Sequence, residues 1–311
     1  MTIKPSPFYT ISPKDAESAK PVAWWASART PSSATAFALA NTPNNSTTNS
    51  WLFPPNTREV QFDEKWSFVA KKEKNYDPDR DGDALAGECW DYIALDAEHR
   101  LVVSAVVGKH SSDHVRLLVE DFHRRTKGRL MNLMTSDENP CYAEVIPEIY
   151  GQEVKPRRTG QAGRSKKPCK RVPKGLKYAT VHKTREKGRV VKVEPRVVFG
   201  TVKAVLAALA VSLVSTAVNT VFVERSNGSD RHRNARKVRK TYRFSKDWQV
   251  HESMTYFTLY QANFCCPVRT LREWDSVAER WQQRTPAMAA GLADHIWSIE
   301  EWLSYPSVQC K

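Results

Sequence analysis

Between residues 58 and 150, the spacing of apolar residues changes from a strand period to a helical period and back, and this order restricts the fold more than any other feature. Apolar and polar residues alternate from Glu59 to Val69, as in a β-strand with one buried face. Two further apolar runs, residues 90–95 and 101–107, are separated only by a short turn. Strands joined so closely are predicted to pair antiparallel.

The next two segments are predicted to be a helix and a fourth strand. From Ser112 to about Thr126 apolar residues recur at helical spacing, and residues 130–137 form a run that ends in Asp137. A helical connection allows this fourth strand to lie parallel to the first. We therefore predict an α/β fold in which helices flank a mixed sheet, with Asp63 close to the end of the fourth strand.

Positive charge is concentrated in one stretch of the chain. The formal net charge is +14, and from Lys155 to Arg196 sixteen Lys and Arg residues stand against two acids. This density predicts a polyanionic partner, either nucleic acid or an anionic membrane surface. Residues 178–183 and 189–193 flank a Gly-containing turn and predict a basic hairpin. We interpret residues 155–200 as a basic insertion that carries this hairpin.

Residues 204–223 contain no charged side chain, and a run of this length could span a membrane. The run is rich in Ala, Ser and Thr and contains Asn219, so it is only moderately apolar. We therefore favour a buried helix followed by a strand or turn, with no membrane partner. A membrane-associated basic protein is the alternative.

Two more helices are predicted in the second half of the chain. Residues 248–265 are apolar at helical spacing and predict a core helix. Its buried face is predicted to carry Val250, Met254, Phe257 and Phe264. Residues 231–246 contain eight Lys and Arg and no acid, and predict a helix that lies along DNA, with a solvated helix face as the alternative.

Composition divides the chain into three parts. Residues 1–57 are dominated by Ser, Thr, Asn, Pro and Ala, which is typical of a disordered, low-complexity leader. Residues 58–270 hold the predicted sheet and core helix and form the ordered domain. Residues 271–311 are predicted to be a helical tail with short helices near its tryptophans.

Cysteine spacing and the start of the chain bear on the cellular compartment. The six cysteines include no Cys-x-x-Cys pair, which argues against a structural zinc site built from cysteines. The first thirty residues have no apolar core behind basic residues, as a signal peptide would. We therefore expect reduced thiols and a cytoplasmic protein, associated with the nucleoid if its partner is DNA.

Three acids lie next to apolar segments and are candidate metal ligands: Asp63, Asp137 and Glu224. An acid set against the core is costly unless it is paired or bound to metal. Magnesium prefers one or two carboxylates together with waters and substrate phosphates. Two ions roughly 3.5–4 Å apart can activate a hydroxyl group and stabilise the leaving oxygen in phosphoryl transfer. Taken singly, each acid fits a solvated or surface-paired residue better, so the hypothesis depends on the set.

The segments around these acids resemble the three acidic motifs of DDE transposases, in particular those of the insertion sequence one family. The matching segments are residues 62–69 (FDEKWSFV), 135–142 (TSDENPCY) and 223–228 (VERSNG), and the basic run 239–246 (RKTYRFSK) is also similar. The resemblance covers roughly residues 58–311.

The resemblance implies a ribonuclease H-like fold with a basic insertion before the last catalytic helix. It implies that Asp63, Asp137 and Glu224 are catalytic and bind two Mg²⁺ or Mn²⁺ ions. The implied reactions are hydrolysis at the ends of the element and attack of the freed 3′-hydroxyl on target DNA. The implied assembly on DNA is a homo-oligomer, because transposition joins two ends.

The chain departs from that family's pattern in front of the first acid. Members usually carry a zinc-binding and helix-turn-helix region there, which recognises the ends of the element, whereas this chain has the Ser/Thr/Asn-rich leader. The alternative function is therefore a truncated, catalytically silent DNA-binding remnant of a transposase.

The charge distribution and the resemblance together predict a set of DNA contacts, chiefly to the phosphate backbone. For the basic segment the alternative is a solvated charged loop. The side chains predicted to contact DNA are Lys166, Lys167, Lys170, Arg171, Lys183, Arg185, Arg225, Asn227, Arg231, Arg236, Arg239 and Lys240.

Overall fold

The computed structural model describes residues 56–75, 77, 86–154, 169–238 and 240–304. Almost all of the predicted leader, and the predicted DNA contacts Lys166, Lys167 and Arg239, lie outside this part of the chain.

Strands and helices alternate through the described residues. The strands are β1 (Glu59–Val69), β2 (Gly87–Asp96), β3 (Leu101–Gly108), β4 (Leu133–Asp137), β5 (Gln152–Val154), β6 (Cys169–Arg171), β7 (Tyr178–Glu186), β8 (Arg189–Phe199), β9 (Glu273–Asp275) and β10 (Arg280–Gln282). The helices are α1 (Ser112–Arg125), α2 (Pro140–Tyr150), α3 (Val202–Ala210), α4 (Val221–Arg233), α5 (Trp248–Cys265), α6 (Pro286–Ala289) and α7 (Ile299–Ser304).

The main sheet has six strands in the order β3-β2-β1-β4-β7-β8. β1, β2 and β3 pair antiparallel, β4 and β7 are added in parallel, and β8 pairs antiparallel with β7. β4 lies parallel to β1 because α1 carries the chain back across the sheet between β3 and β4. The α/β fold with a mixed sheet flanked by helices is therefore confirmed.

Helices pack on both faces of the sheet. On one face, the ring of Phe62 in β1 lies edge-on to Phe122 of α1 at 5.6 Å and stacks on Tyr142 of α2 at 5.3 Å. On the other face, Val223 of α4 and Leu259 of α5 belong to a second buried cluster on β2 and β3. Fully burying such side chains stabilises the fold by roughly 1.5–3 kcal/mol each.

The basic hairpin is formed by β7 and β8, but both strands belong to the main sheet. β7 pairs with β4 from Met134 to Asp137, next to the centre of the sheet. This corrects the prediction of an insertion, because the first four residues of β7 are buried in the sheet, whereas the end of β7 and most of β8, the edge strand, are exposed. The period of the sequence could not show this, since it does not report which strand lies beside which.

The charge-free run divides into two helices and a loop. Thr201 caps α3, which ends at Ala210, and α4 begins only at Val221. The preferred prediction, a helix followed by a turn, agrees with this arrangement, although Leu206 remains 60% exposed. Within the described segments, no helix combines the length and the apolar character needed to cross a membrane.

The core helix α5 spans residues 248–265 as predicted, and Phe264 is buried as predicted, but the rest of its buried face is different. His251, Thr255 and Leu259 are buried, whereas Val250 is 39% exposed. The apolar pattern fails here because this face makes polar contacts inside the protein, described below.

The helix predicted over residues 231–246 is not formed as such. α4 ends at Arg233, and the side chain of Asn234 caps a separate 3₁₀ turn, Ala235–Lys237. Lys237 is buried rather than directed at solvent. The prediction of a continuous DNA-facing helix is therefore wrong.

The described part of the tail contains a β-hairpin as well as helices. β9 and β10 pair through Trp274 and Trp281, whose rings meet edge to face at 5.6 Å. The two helices α6 and α7 are short, and Trp297 and Trp302 both pack on Phe264 of α5.

Candidate active site

The candidate site lies where β1 and β4 run side by side. Their parallel register places Gln61 beside Thr135, and continuing it by two residues brings Asp63 beside Asp137. The two acids thus come from neighbouring parallel strands, as the order of elements in the sequence predicted.

An open pocket of about 530 Å³ surrounds these two acids. Its walls are made by β1, the end of β4, β7 and α4. Carboxyl groups and cationic groups both line it, together with one amide and one apolar side chain. The lining residues are Asp63, Glu64, Lys65, Asp137, Glu138, Val181, His182, Lys183, Arg185, Glu224, Asn227 and Arg231.

The most compact group of acids in the pocket is Asp63, Glu64 and Asp137. Each offers a carboxylate oxygen, and these oxygens lie within 4.8 Å of one another. The sequence interpretation missed Glu64, because strict strand alternation places neighbours on opposite faces. The Asn139 amide donates to Glu64 Oε1 at 3.0 Å and orients this side chain towards the others.

Burial and mutual repulsion raise the pKa values of this group. Burial first, and then the charge of Asp137, raise the pKa of Asp63 to about 6 and that of Glu64 to about 7. Burial likewise raises the pKa of Asp137, and the nearby charge of Glu224 adds to it. Three carboxyl groups this close favour either a bound proton or a bound cation.

Glu224 faces the same pocket from the first turn of α4, outside the compact group. Its carboxylate forms an ion pair with Lys183 of β7 and accepts a hydrogen bond from Thr220 Oγ1 at 2.5 Å. The Lys183 ammonium also donates to Thr220 at 3.1 Å. Asp63 and Asp137 are therefore brought together as predicted, while Glu224 is held by a lysine across from them.

Several predicted DNA contacts have a place in or near the pocket. Lys183, Arg185 and Arg231 line it. Asn227 also lines it; this residue is buried, and its amide donates to Asp63 Oδ2 at 2.7 Å, so it orients a site carboxylate. Its contact with DNA stays a prediction.

The remaining predicted contacts are spread over other surfaces. Lys170 and Arg171 are exposed on β6, and Lys170 donates to the carbonyl of Glu148. Arg225 is exposed on α4, Arg236 is half-buried, and Lys240 is exposed. The structure does not gather these side chains into the pocket.

Behind the pocket lies a second group of charges that the sequence interpretation missed. Lys65 forms ion pairs with Asp91 and Asp230, and Lys237 donates to Asp91 at 2.6 Å. His251 completes this group, with Ser245 at 2.7 Å from its Nδ1 atom. All five ionisable side chains are buried.

Cys89, Asp91 and His251 within this group lie close enough together to hold a metal ion. Two facts argue against it. Lys65 and Lys237 already supply positive charge to Asp91. Burial also raises the pKa of the Cys89 thiol, which disfavours the thiolate that metal binding needs.

The donor set of the pocket, in contrast, suits a hard cation. Asp63, Glu64 and Asp137 offer only carboxylate oxygens, the ligands preferred by Mg²⁺ and Mn²⁺. A search of protein-family models and a search of curated proteins both returned no match to this chain.

Proposed function

We propose that the chain is the metal-dependent catalytic core of a DDE transposase, which cuts the ends of a DNA element and joins them to target DNA. The observation that carries the proposal is the convergence of carboxylates from neighbouring strands in one pocket: Asp63, Glu64 and Asp137 in the compact group, with Glu224 opposite.

The fold supports this proposal. An antiparallel meander followed by parallel strands is compatible with a ribonuclease H-like sheet. Asp63 on the central strand β1 and Asp137 at the end of the adjacent strand β4 occupy neighbouring positions of such a sheet. Fold alone does not define an activity, so the argument rests on the site.

The pocket residues divide the work of phosphoryl transfer. Asp63 and Asp137 would hold the cations, and Asn227 fixes the orientation of the Asp63 carboxylate. When bound, two divalent ions activate the attacking water or 3′-hydroxyl and stabilise the leaving oxygen. Glu224 would add a carboxylate from α4 if Lys183 paired with a substrate phosphate instead.

DNA is the substrate that the surrounding charge favours. Arg185 on β7 begins a row of cationic side chains that runs from the pocket to the exposed end of the hairpin. The next members of this row are Lys187, Arg189 and Lys192. A two-stranded β-ribbon that carries cationic side chains can contact the phosphate backbone of DNA without recognising its base sequence. Joining two ends requires assembly of more than one copy, so a homo-oligomer on DNA is part of the proposal.

A second function is favoured by one contact. The Lys183–Glu224 ion pair satisfies Glu224 without any metal and keeps it apart from the compact group. A DNA-binding protein without catalytic turnover would have this arrangement permanently. It would bind DNA with a steep salt dependence and cut nothing.

Nicking of supercoiled plasmid DNA in the presence of Mg²⁺ or Mn²⁺ distinguishes these functions. The catalytic proposal expects metal-dependent nicking that EDTA and Asp63→Asn both abolish. Asp113→Asn is the matched control, because Asp113 is exposed on α1 and does not line the pocket. Retention of nicking in Asp63→Asn, or DNA binding without nicking in the wild-type protein, would contradict the catalytic proposal.

A further inference from the structure

Helix α4 carries three pocket residues, Glu224, Asn227 and Arg231, but has little apolar surface with which to pack. Its buried positions are Val223, Asn227 and Asp230, which follow one another at helical spacing on one face. Only the first of these is apolar. The position of α4 against the sheet therefore depends on polar contacts.

The polar contacts of α4 lead to β1 at both ends of the buried face. Gln61 Oε1 accepts hydrogen bonds from the backbone N–H groups of Phe222 and Val223 at 3.0 Å. Further along, Asp230 pairs with Lys65 of β1. Every second residue of β1 points to the same face of the sheet, and Gln61, Asp63 and Lys65 share one such face. This face of β1 therefore contacts successive turns of α4.

Asp230 is the central member of the buried group. It pairs with Lys65, accepts a hydrogen bond from Thr258 of α5 at 3.0 Å, and lies 3.8 Å from the Lys237 ammonium. It thereby joins α4 to β1 and α5. Two lysines and two aspartates balance in charge, and the group is shut off from solvent.

We propose that Lys65 and Asp230 are positioning residues of the carboxylate site, and that their buried ion pair fixes α4 so that Glu224 and Asn227 stand at the correct distance from Asp63. This inference rests on the proposed function, since it assigns the pair a role in binding the metal ions. The two residues touch no ion or substrate and act through α4.

A charge-balanced replacement separates positioning from stability. In Lys65→Met/Asp230→Asn the two charges are removed together, leaving Lys237 paired with Asp91. Such paired replacements of buried ions are commonly tolerated, because no unpaired charge remains. The double variant is therefore expected to fold and to melt close to the wild-type temperature.

The measurement is Mn²⁺ binding by isothermal titration calorimetry, with hydrogen exchange of the α4 backbone alongside. We expect the double variant to bind Mn²⁺ about 10- to 100-fold more weakly, as when outer partners of metal ligands are removed. Exchange in α4 should become faster. The control is Arg125→Met/Asp121→Asn, a buried ion pair within α1 that contacts none of the site carboxylates and should leave Mn²⁺ binding unchanged.

A second variant keeps the test decisive if the double variant does not fold. Thr258→Val removes only the hydroxyl that donates to Asp230 Oδ1, and should weaken Mn²⁺ binding without loss of the fold. Wild-type Mn²⁺ affinity in either folded variant would overturn the positioning role. Absence of Mn²⁺ binding in the wild-type protein itself would overturn the proposed function and, with it, this inference.

Discussion

The carboxylate pocket and the buried ion group both include residues of β1, yet their carboxyl groups have opposite surroundings. In the buried group each aspartate pairs with a lysine. Burial alone would raise the pKa of Asp91, but the charges of Lys237 and Lys65 hold this pKa well below its usual range. In the pocket, carboxyl groups meet each other, and the pKa values of Asp63 and Glu64 rise. Because β1 makes both environments, the fold itself is able to supply counter-ions for carboxylates. Around Asp63 the carboxyl groups of Glu64 and Asp137 lie close together instead, and a bound cation would relieve their repulsion.

The largest effect is expected from breaking the balanced group. Asp91→Asn leaves Lys65 and Lys237 to share Asp230 alone, so a buried positive charge loses its partner. We expect the free energy of unfolding to fall by about 3–5 kcal/mol. Urea titration measures it, with exposed Asp113→Asn as a control that stays within about 0.5 kcal/mol of wild type. If Asp91→Asn lowered the free energy of unfolding no more than Asp113→Asn does, the buried ion pairs would not contribute to stability.

Removal of a site carboxylate should reduce activity without unfolding the protein. Asp63→Asn is expected to reduce metal-dependent nicking at least about 100-fold, since outer partners of metal ligands already account for about 10- to 100-fold. Rates of plasmid nicking at saturating Mn²⁺ provide the measurement. Normal rates would place the chemistry elsewhere.

Without metal, the same substitution should stabilise the protein at neutral pH. The folded-state pKa of Asp63 is about 6 against an ordinary 3.8, so its protonated form favours the fold below about pH 4, and this contribution is lost as pH rises through 6. At pH 7.5 in EDTA, Asp63→Asn should be more stable by about 1–2 kcal/mol, after allowance for partial exposure of the site.

Divalent metal provides the check on that effect. Because Mn²⁺ binds the folded wild-type protein, thermal melting with added Mn²⁺ should remove or reverse the advantage of Asp63→Asn. An advantage that persists unchanged at millimolar Mn²⁺ would mean that repulsion in the pocket is not relieved by a cation.

The smallest effect concerns a single DNA contact. Arg185→Ala should weaken DNA binding uniformly across sequences and lower the salt slope of the binding constant by about 1. Fluorescence anisotropy at several salt concentrations measures both. Lys127→Ala, in the turn after α1 and away from the pocket, is the control. Equal slopes for the two variants would remove Arg185 from the DNA surface.

The first four strands of the sheet could be predicted from the sequence, because the spacing of apolar residues indicates where strands and helices lie. Alternation in β1 and the helical spacing of α1 predict Asp63 next to Asp137, and the register of β1 and β4 agrees. The hairpin was recognised too, but its membership of the sheet was not, since period does not report which strand lies beside which.

Residues defined by tertiary contact were not predictable in the same way. Lys65 looks like any strand lysine until Asp91 and Asp230 are brought against it from distant segments. The sequence predicts a DNA contact for Asn227, but its place four residues after Val223 also indicates an inward-facing amide, which the structure has. Glu64 gave no periodic signal at all, because Asn139 turns it towards the acids.

Anomalous diffraction from crystals grown with Mn²⁺ tests the central claim most directly. The account predicts manganese peaks in the pocket, bound by oxygens of Asp63 and Asp137, with Glu224 released from Lys183. Manganese peaks confined to other surfaces, with the pocket empty at millimolar Mn²⁺ and Glu224 still paired with Lys183, would contradict it.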